Sequence, residues 1–277
     1  KLKTYLDSGI NRLSIGAQSL DEGLLHYMGR VHSKEDLISN YHLARDCGFQ
    51  NINLDLMFAV PGQTMDMWMD TLKKAVDLES EHISFYSLQL EEGTPFYQLF
   101  EEGRLKETDA ELDRNMYHEA LKYLKGRGYQ HYEISNAAKA GYQCRHNLKY
   151  WSMDNYLGLG LGAHSYLDGV RFSNVTDLKR YIELNNIEKA SFSPFVEWSH
   201  INSKEENISE YLFTGMRKMQ GICLDDFKDR FGMNLESLYG DILKKYQELK
   251  LLEIIDGKLR FTEKGIDISN RVLAEFV

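Results

Sequence analysis

Two sets of residues in this chain have the types and spacing that chemistry needs. The first is spread along the chain: Gln18, Asp55 and Gln89 each lie within or just past a short β-rich run. Asp55 is the sharpest of the three. It stands alone in Leu54-Asp55-Leu56-Met57-Phe58, and a carboxylate among apolar neighbours costs free energy unless it is hydrogen-bonded or paired. It reads equally as a ligand for a polar molecule and as a structural partner of a backbone or cation. Arg30, in Met28-Gly29-Arg30-Val31-His32, carries the planar fork that suits a carboxylate or phosphate. By position alone it is an ordinary solvated arginine.

The second set is dense. Cys144-Arg145-His146-Asn147-Leu148-Lys149-Tyr150-Trp151 puts an imidazole, a thiol, an amide and two aromatic rings into eight positions. Such a composition can ligate iron and cover a flat apolar macrocycle. A core histidine flanked by aromatic packing has the same spelling. Cys47, Cys144 and Cys223 are three, an odd number, and lie far apart, so none of the close spacings of zinc, iron-sulfur or covalent haem sites is present.

The elements that must position these residues are legible in the periodicity. Arg12 to Ala17, Asn51 to Phe58 and His82 to Leu90 read as strands, separated by helical stretches whose apolar residues (Leu37, Tyr41, Ala44; Trp68, Leu72, Ala75) recur every three or four positions. This is the pattern of consecutive βα units, in which ligands bind at the C-terminal edge of the strands. A helix from Leu112 to Leu124 and a strand from Gln130 to Ser135 follow. Between Tyr156 and Tyr166, Gly158, Gly160 and Gly162 alternate with leucines, which predicts an extended segment whose glycine face closely approaches another backbone or a ligand. Polar residues with Pro194 mark 191–204 as a connector. Beyond it, helices at Ile208–Met219, Leu224–Phe231 and Leu235–Leu249 precede two strands joined at Asp256-Gly257, the order of a winged helix. Lys244, Lys245 and Lys250 in the third helix are cancelled by Glu236, Asp241 and Glu248, which speaks against DNA reading.

Composition bounds the rest. With 277 residues, 43% hydrophobic and 27% charged, the chain has the material for a globular core. The net charge of -9 argues against a nucleic-acid partner. No apolar run is long enough for a membrane span, and no signal peptide is spelled, so a reducing cytoplasm is expected. Lys1 is followed directly by a helical pattern in Leu2, Tyr5 and Leu6, so the chain is expected to begin inside a domain.

At this point the motifs resemble a known family. Arg12-Leu13-Ser14-Ile15-Gly16-Ala17-Gln18-Ser19-Leu20, Leu25 to His32, Asn53-Leu54-Asp55-Leu56-Met57 with Pro61-Gly62-Gln63-Thr64, and Tyr129 to Trp151 are similar to the oxygen-independent coproporphyrinogen III oxidase family of radical S-adenosylmethionine proteins. His146-Asn147 with Tyr150-Trp151 resembles its haem-chaperone branch. The resemblance covers essentially the whole chain. It implies an α/β fold, a partial (β/α)6 barrel over 1–190 whose N-terminal units are missing, then the connector and a winged-helix-like α+β domain over 205–277. It also implies three cofactors or cargoes: S-adenosylmethionine, a 4Fe-4S cluster and haem. Carried over by position, Gln18 and Asp55 contact the ribose of S-adenosylmethionine, Arg30 reaches its methionine end, and Gln89 and His164 are weaker matches to the same pocket. His146, Asn147, Tyr150 and Trp151 fall to haem, with His146 a candidate iron ligand and Arg145 available to a propionate. The family's Cys-x-x-x-Cys-x-x-Cys loop is absent from this sequence, so reductive cleavage of S-adenosylmethionine is not expected of the chain as given. The implied function is haem binding and delivery to an acceptor protein. The enzyme rival is oxidative decarboxylation of coproporphyrinogen III in porphyrin biosynthesis, and a winged-helix DNA regulator is the third reading.

Overall fold

A computed structural model describes residues 1–185 and 193–276. They form two compact units, Lys1–Gln143 and Cys144–Val277. Unit 1 runs α1 (Leu2–Asp7), β1 (Leu13–Gln18), α2 (Glu22–Tyr27), α3 (Lys34–Asp46), β2 (Ile52–Phe58), α4 (Met65–Asp77), β3 (His82–Ser87), α5 (Pro95–Glu101), α6 (Ala110–Gly126), β4 (Gln130–Glu133) and β5 (Asn136–Ala138). The strands form one sheet in the order β1-β2-β3-β5-β4, with β1, β2 and β3 mutually parallel and β5 and β4 antiparallel to their neighbours.

Alternation in β2 divides the sheet into two faces. Ile52, Leu54, Leu56 and Phe58 are buried on one, where Phe58 meets Trp68 of α4 at 5.3 Å and Tyr117 of α6 at 6.3 Å between ring centroids. The Trp68 indole donates to the Met116 carbonyl, so its one polar atom is satisfied inside the core. Asn53, Asp55 and Met57 therefore point to the other face, since side chains alternate along a strand. The helices begin where the sequence supplies side-chain caps: Ser33 forms a capping box with Asp36, and Thr64 accepts from the Met67 amide.

Two strand expectations change. The third strand ends at Ser87 rather than Leu90, because the chain turns toward Thr94, which caps α5 by accepting from the Tyr97 amide. The 130–135 run is a shorter strand, β4, that ends in a turn at Ile134 and Ser135 leading into its antiparallel partner β5. Alternating apolar character does not reveal the direction in which a strand pairs.

Unit 2 runs α7 (Arg145–Trp151), β6 (His164–Leu167), β7 (Val170–Asn174), α8 (Leu178–Asn185), β8 (Val196–Ile201), α9 (Lys204–Gly215), β9 (Ile222–Cys223), α10 (Leu224–Phe231), α11 (Leu235–Glu248), β10 (Leu252–Ile255), β11 (Lys258–Phe261), α12 (Glu263–Ile266) and α13 (Ser269–Leu273). β6, β7 and β8 make one antiparallel sheet, and β10, β11 and β9 make another. The expected connector 191–204 needs correction. Residues 191–192 lie outside the described residues, but 196–201 form β8, paired along β7. Its side chains are largely exposed, so the strand is held by backbone ladder bonds that composition cannot signal. The boundary between compact units falls at 143/144, not in this segment.

The segment after Tyr156 is also not extended. Gly160 and Gly162 take φ of +110° and +65°, and the Asn174 amide donates to the carbonyls of Gly158 and Gly160. Gly158 does approach another backbone: a Cβ there would lie 2.2 Å from the His164 carbonyl oxygen.

The winged-helix order is present in unit 2, with β10 and β11 meeting in a two-residue turn whose Asp256 and Gly257 both have positive φ, as that hairpin requires. Gly265 lets α12 press against the wing: a Cβ on it would sit 1.9 Å from the Leu251 carbonyl oxygen. Gly265→Ala is expected to destabilise unit 2 by about 1–3 kcal/mol, the usual cost of overpacking a filled site. A urea titration checks this, and an unchanged midpoint would show that the wing has slack.

Candidate functional site

In unit 1 the face opposite the helix-packed core is polar. Parallel register aligns Ser14 with Asn53 and Gly16 with Asp55 across β1 and β2, and Asn53 with His82, Asp55 with Ser84 and Met57 with Tyr86 across β2 and β3. Paired residues share a face, so Ser14, Asn53, Asp55, His82, Ser84 and Tyr86 form one surface.

Gln18 joins it through a local irregularity. The β1-β2 register slips between Gly16 and Gln18, and Gln18 has φ +62°, a left-handed conformation that costs a non-glycine residue free energy and clusters at functional sites. The turned backbone lays the side chain back over Gly16: a Cβ on Gly16 would lie 3.0 Å from Gln18 Nε2. Gly16 is the register partner of Asp55, so the amide lies over the strand position beside the carboxylate. Tyr86 completes the group, its hydroxyl donating to Gln18 Oε1 at 3.1 Å. Burial raises the Tyr86 pKa and the Asp55 charge raises it further, while the Gln18 bond and the positive charge of Arg30 act the other way. Gln18, Asp55 and Arg30 thus all act on one phenol. Arg30 is exposed just past α2, following Gly29 at φ +67°. Gln89 is exposed two residues beyond β3. His164 is exposed at the start of β6 and belongs to unit 2. Tyr86 went unnoticed in the sequence because a tyrosine in a strand reads as packing.

In unit 2 the eight-residue cluster folds as α7, with Cys144 at its N-cap and the thiol donating to Asn147 Oδ1 at 3.4 Å. His146 is exposed and meets Tyr150, one turn on, edge to face at 4.7 Å. Tyr150 in turn meets Tyr156 at 4.5 Å. The Tyr156 hydroxyl accepts from Arg171, whose guanidinium is paired with Glu210. Trp151 is placed differently from Tyr150. Five residues from His146 it is rotated about 140° around the helix, and the Arg217 guanidinium lies 4.5 Å over its ring. Lys218 donates to Ser152 Oγ and Arg230 to the Met153 carbonyl, so three cations fasten the end of α7. Burial lowers the Lys218 pKa. The ring that accompanies His146 is therefore Tyr150, extended by Tyr156, and sequence spacing could not have included the latter.

Residues 1–75 match the Radical SAM superfamily, and 202–268 match the HemN C-terminal domain. The heme chaperone HemW of Bacillus subtilis (strain 168) is 39% identical over 277 residues, covering all of this chain and 72% of the relative. The chain belongs to the HemW family. HemW of Lactococcus lactis subsp. lactis is 33% identical over 276 residues, covering all of this chain and 71% of its own length. Among solved structures, coproporphyrinogen III oxidase (HemN) from Escherichia coli, described as a radical SAM enzyme, superposes with a TM-score of 0.77 over all of this chain and 67% of that one. At 17% identity that likeness shows the fold alone. The mixed α/β fold expected from the motifs is thus the fold of the radical SAM proteins, and the HemW family is the branch that His146-Asn147 and Tyr150-Trp151 indicated.

The residues fit one expected cofactor and not another. A carboxylate, an amide with a free Nε2 and a nearby guanidinium match the two hydroxyls and the amino-acid carboxylate of S-adenosylmethionine. Among the described residues no group of three or more His, Cys, Asp or Glu could hold a metal ion, so these residues do not supply the ligands of an iron-sulfur cluster. No helix among them is long and apolar enough to cross a membrane.

Proposed function

We propose that this chain is the haem-handling part of a cytoplasmic haem chaperone, which binds haem on unit 2, holds S-adenosylmethionine on unit 1 and passes haem to an acceptor protein. The observation that carries the reading is the alignment of the whole chain with heme chaperones at up to 39% identity, together with an exposed imidazole backed by aromatic rings. A carrier must release its cargo. An exposed histidine on a helix of seven residues can ligate iron from one side and leave the other open to a competing ligand. Tyr150 and Tyr156 offer ring surface to the macrocycle, and the chain leaving Tyr156 exposes Leu157, Leu159 and Leu161. Arg145, exposed beside His146, suits a propionate.

On unit 1, Asp55 and the Gln18 amide take the ribose hydroxyls and Arg30 the methionine carboxylate. S-adenosylmethionine bound with a reduced cluster supplies radical chemistry in this superfamily. This chain's residues bind and orient the cofactor, and no step is assigned to a cluster they do not ligate.

Haem titration of the chain by absorbance tests the first half of the reading, with saturation at one equivalent as the expected result. The rival is coproporphyrinogen III oxidation, favoured by fold likeness only. Porphyrin products of the gene product that contains this chain, reconstituted with iron and sulfide under anaerobic reducing conditions, separate the two. No conversion is expected, and clear turnover would replace the chaperone reading with the oxidase.

A further inference from the structure

Asp55 does not stand alone on its sheet face, and the groups behind it leave no choice about where each proton goes. Both hydrogens of the Asn53 amide are used, one donated to Asp55 Oδ1 at 2.7 Å and one to Ser14 Oγ at 2.7 Å. The Ser14 hydroxyl donates its single proton to Asp55 Oδ2 at 3.1 Å. Asn53 Oδ1 points away from the carboxylate and accepts from His82 Nδ1 at 2.6 Å and from Ser84 Oγ at 3.2 Å. An amide oxygen only accepts, so His82 carries its proton on Nδ1. Nε2 is then an acceptor, and the Tyr132 hydroxyl donates to it at 2.7 Å. Reversing the chain would turn Asn53 Oδ1 onto the carboxylate, two acceptors face to face. Asn53 and His82 are almost wholly buried, where an unmade hydrogen bond is costly.

We propose that Ser14, Asn53, His82 and Tyr132 are positioning residues that hold the Asp55 carboxylate as a two-oxygen receiver for a vicinal diol. Each oxygen accepts one bond from the network and keeps a lone pair free, so both hydroxyls of a ribose can donate to it at once. Without the network the carboxylate rotates freely and engages one hydroxyl at a time. Beside it, the Tyr86 hydroxyl donates to Gln18 Oε1, which orients the amide and leaves Nε2 as a donor for the ligand. The site therefore offers a fixed pattern, two acceptors next to one donor, which distinguishes a ribonucleoside from its deoxy counterparts. This inference rests on the reading that Asp55 binds the ribose of S-adenosylmethionine.

The test is calorimetric titration of the full chain with S-adenosylhomocysteine, which binds the same groups without needing a cluster. His82→Leu is expected to weaken binding five- to twentyfold. His82→Asn places an amide nitrogen where Nδ1 donates, and binding should stay within twofold of the parent chain. In an Asp55→Asn background the His82→Leu loss should shrink below twofold, because the residue acts through the carboxylate. If His82→Leu does not fold, Ser14→Ala carries the comparison on the exposed edge of the network, with Ser14→Thr as its rescue. Parent-like binding by the folded disruptive variant, or an equal loss in the Asp55→Asn background, overturns the proposal while leaving Asp55 a ligand. Absence of binding by the parent chain, or binding indifferent to Asp55→Ala, overturns the cofactor reading and the proposal together.

Discussion

In His146→Ala the absorbance spectrum of the bound haem shifts to that of iron without a protein imidazole, while the chain stays folded. The expectation follows from exposure. His146 meets Tyr150 by ring contact alone among the described interactions, so removing it takes away an iron ligand without opening a core. Tyr150→Ala should behave differently, keeping the ligated spectrum and weakening haem about tenfold, the scale of one aromatic contact. Trp151→Ala separates the two kinds of role. Its ring packs under Arg217 with a buried indole nitrogen, so its loss should lower the melting temperature of unit 2 and leave the spectrum of the folded fraction unchanged. Haem titrations and thermal melts on the three variants decide this. An unshifted spectrum and parent affinity in His146→Ala would remove the residue from the site.

Unit 1 should lose stability steeply in mild acid. Burial, with a smaller contribution from the Arg12 charge, pushes the His82 pKa from 6.5 down to about 3, and burial pushes His131 to about 4 despite the opposing carbonyls of Ile134 and Glu133. Both rings are neutral in the folded state where the unfolded chain already binds protons. A lowered histidine pKa means that stability is fully present above 6.5 and falls as the pH drops toward the folded value. Each ring costs roughly 1.4 kcal/mol per pH unit in that window, on the order of 5 kcal/mol for the pair by about pH 4.5. That is comparable to the whole stability of a small domain. Urea midpoints between pH 7 and 4 should show the slope, and His82→Asn, with no group titrating there, should lose one ring's share. Equal slopes in parent and variant would mean that His82 is not the buried neutral ring the network requires.

Much of this protein is written locally. Apolar periodicity placed β1, β2 and the helices around them, Asp256-Gly257 placed the final hairpin, and the short motifs around Gln18, Asp55 and His146 carried the family, because each depends on neighbours within a few residues. Tertiary structure decided what depends on distant partners. The pairing of β8 on β7 is made by backbone bonds between chain segments whose composition is polar. The meeting of Tyr156 with Tyr150 depends on how the chain returns after α7. The setting of Asp55 is the clearest case. A lone carboxylate in an apolar run read equally as a ligand and as a structural partner, and only the parallel register of β1, β2 and β3 brings Ser14, Asn53 and His82 onto its face. Alternation fixes which face a side chain takes, but the identity of its neighbours across the sheet is set by register, a property of the assembled strands and of no single one.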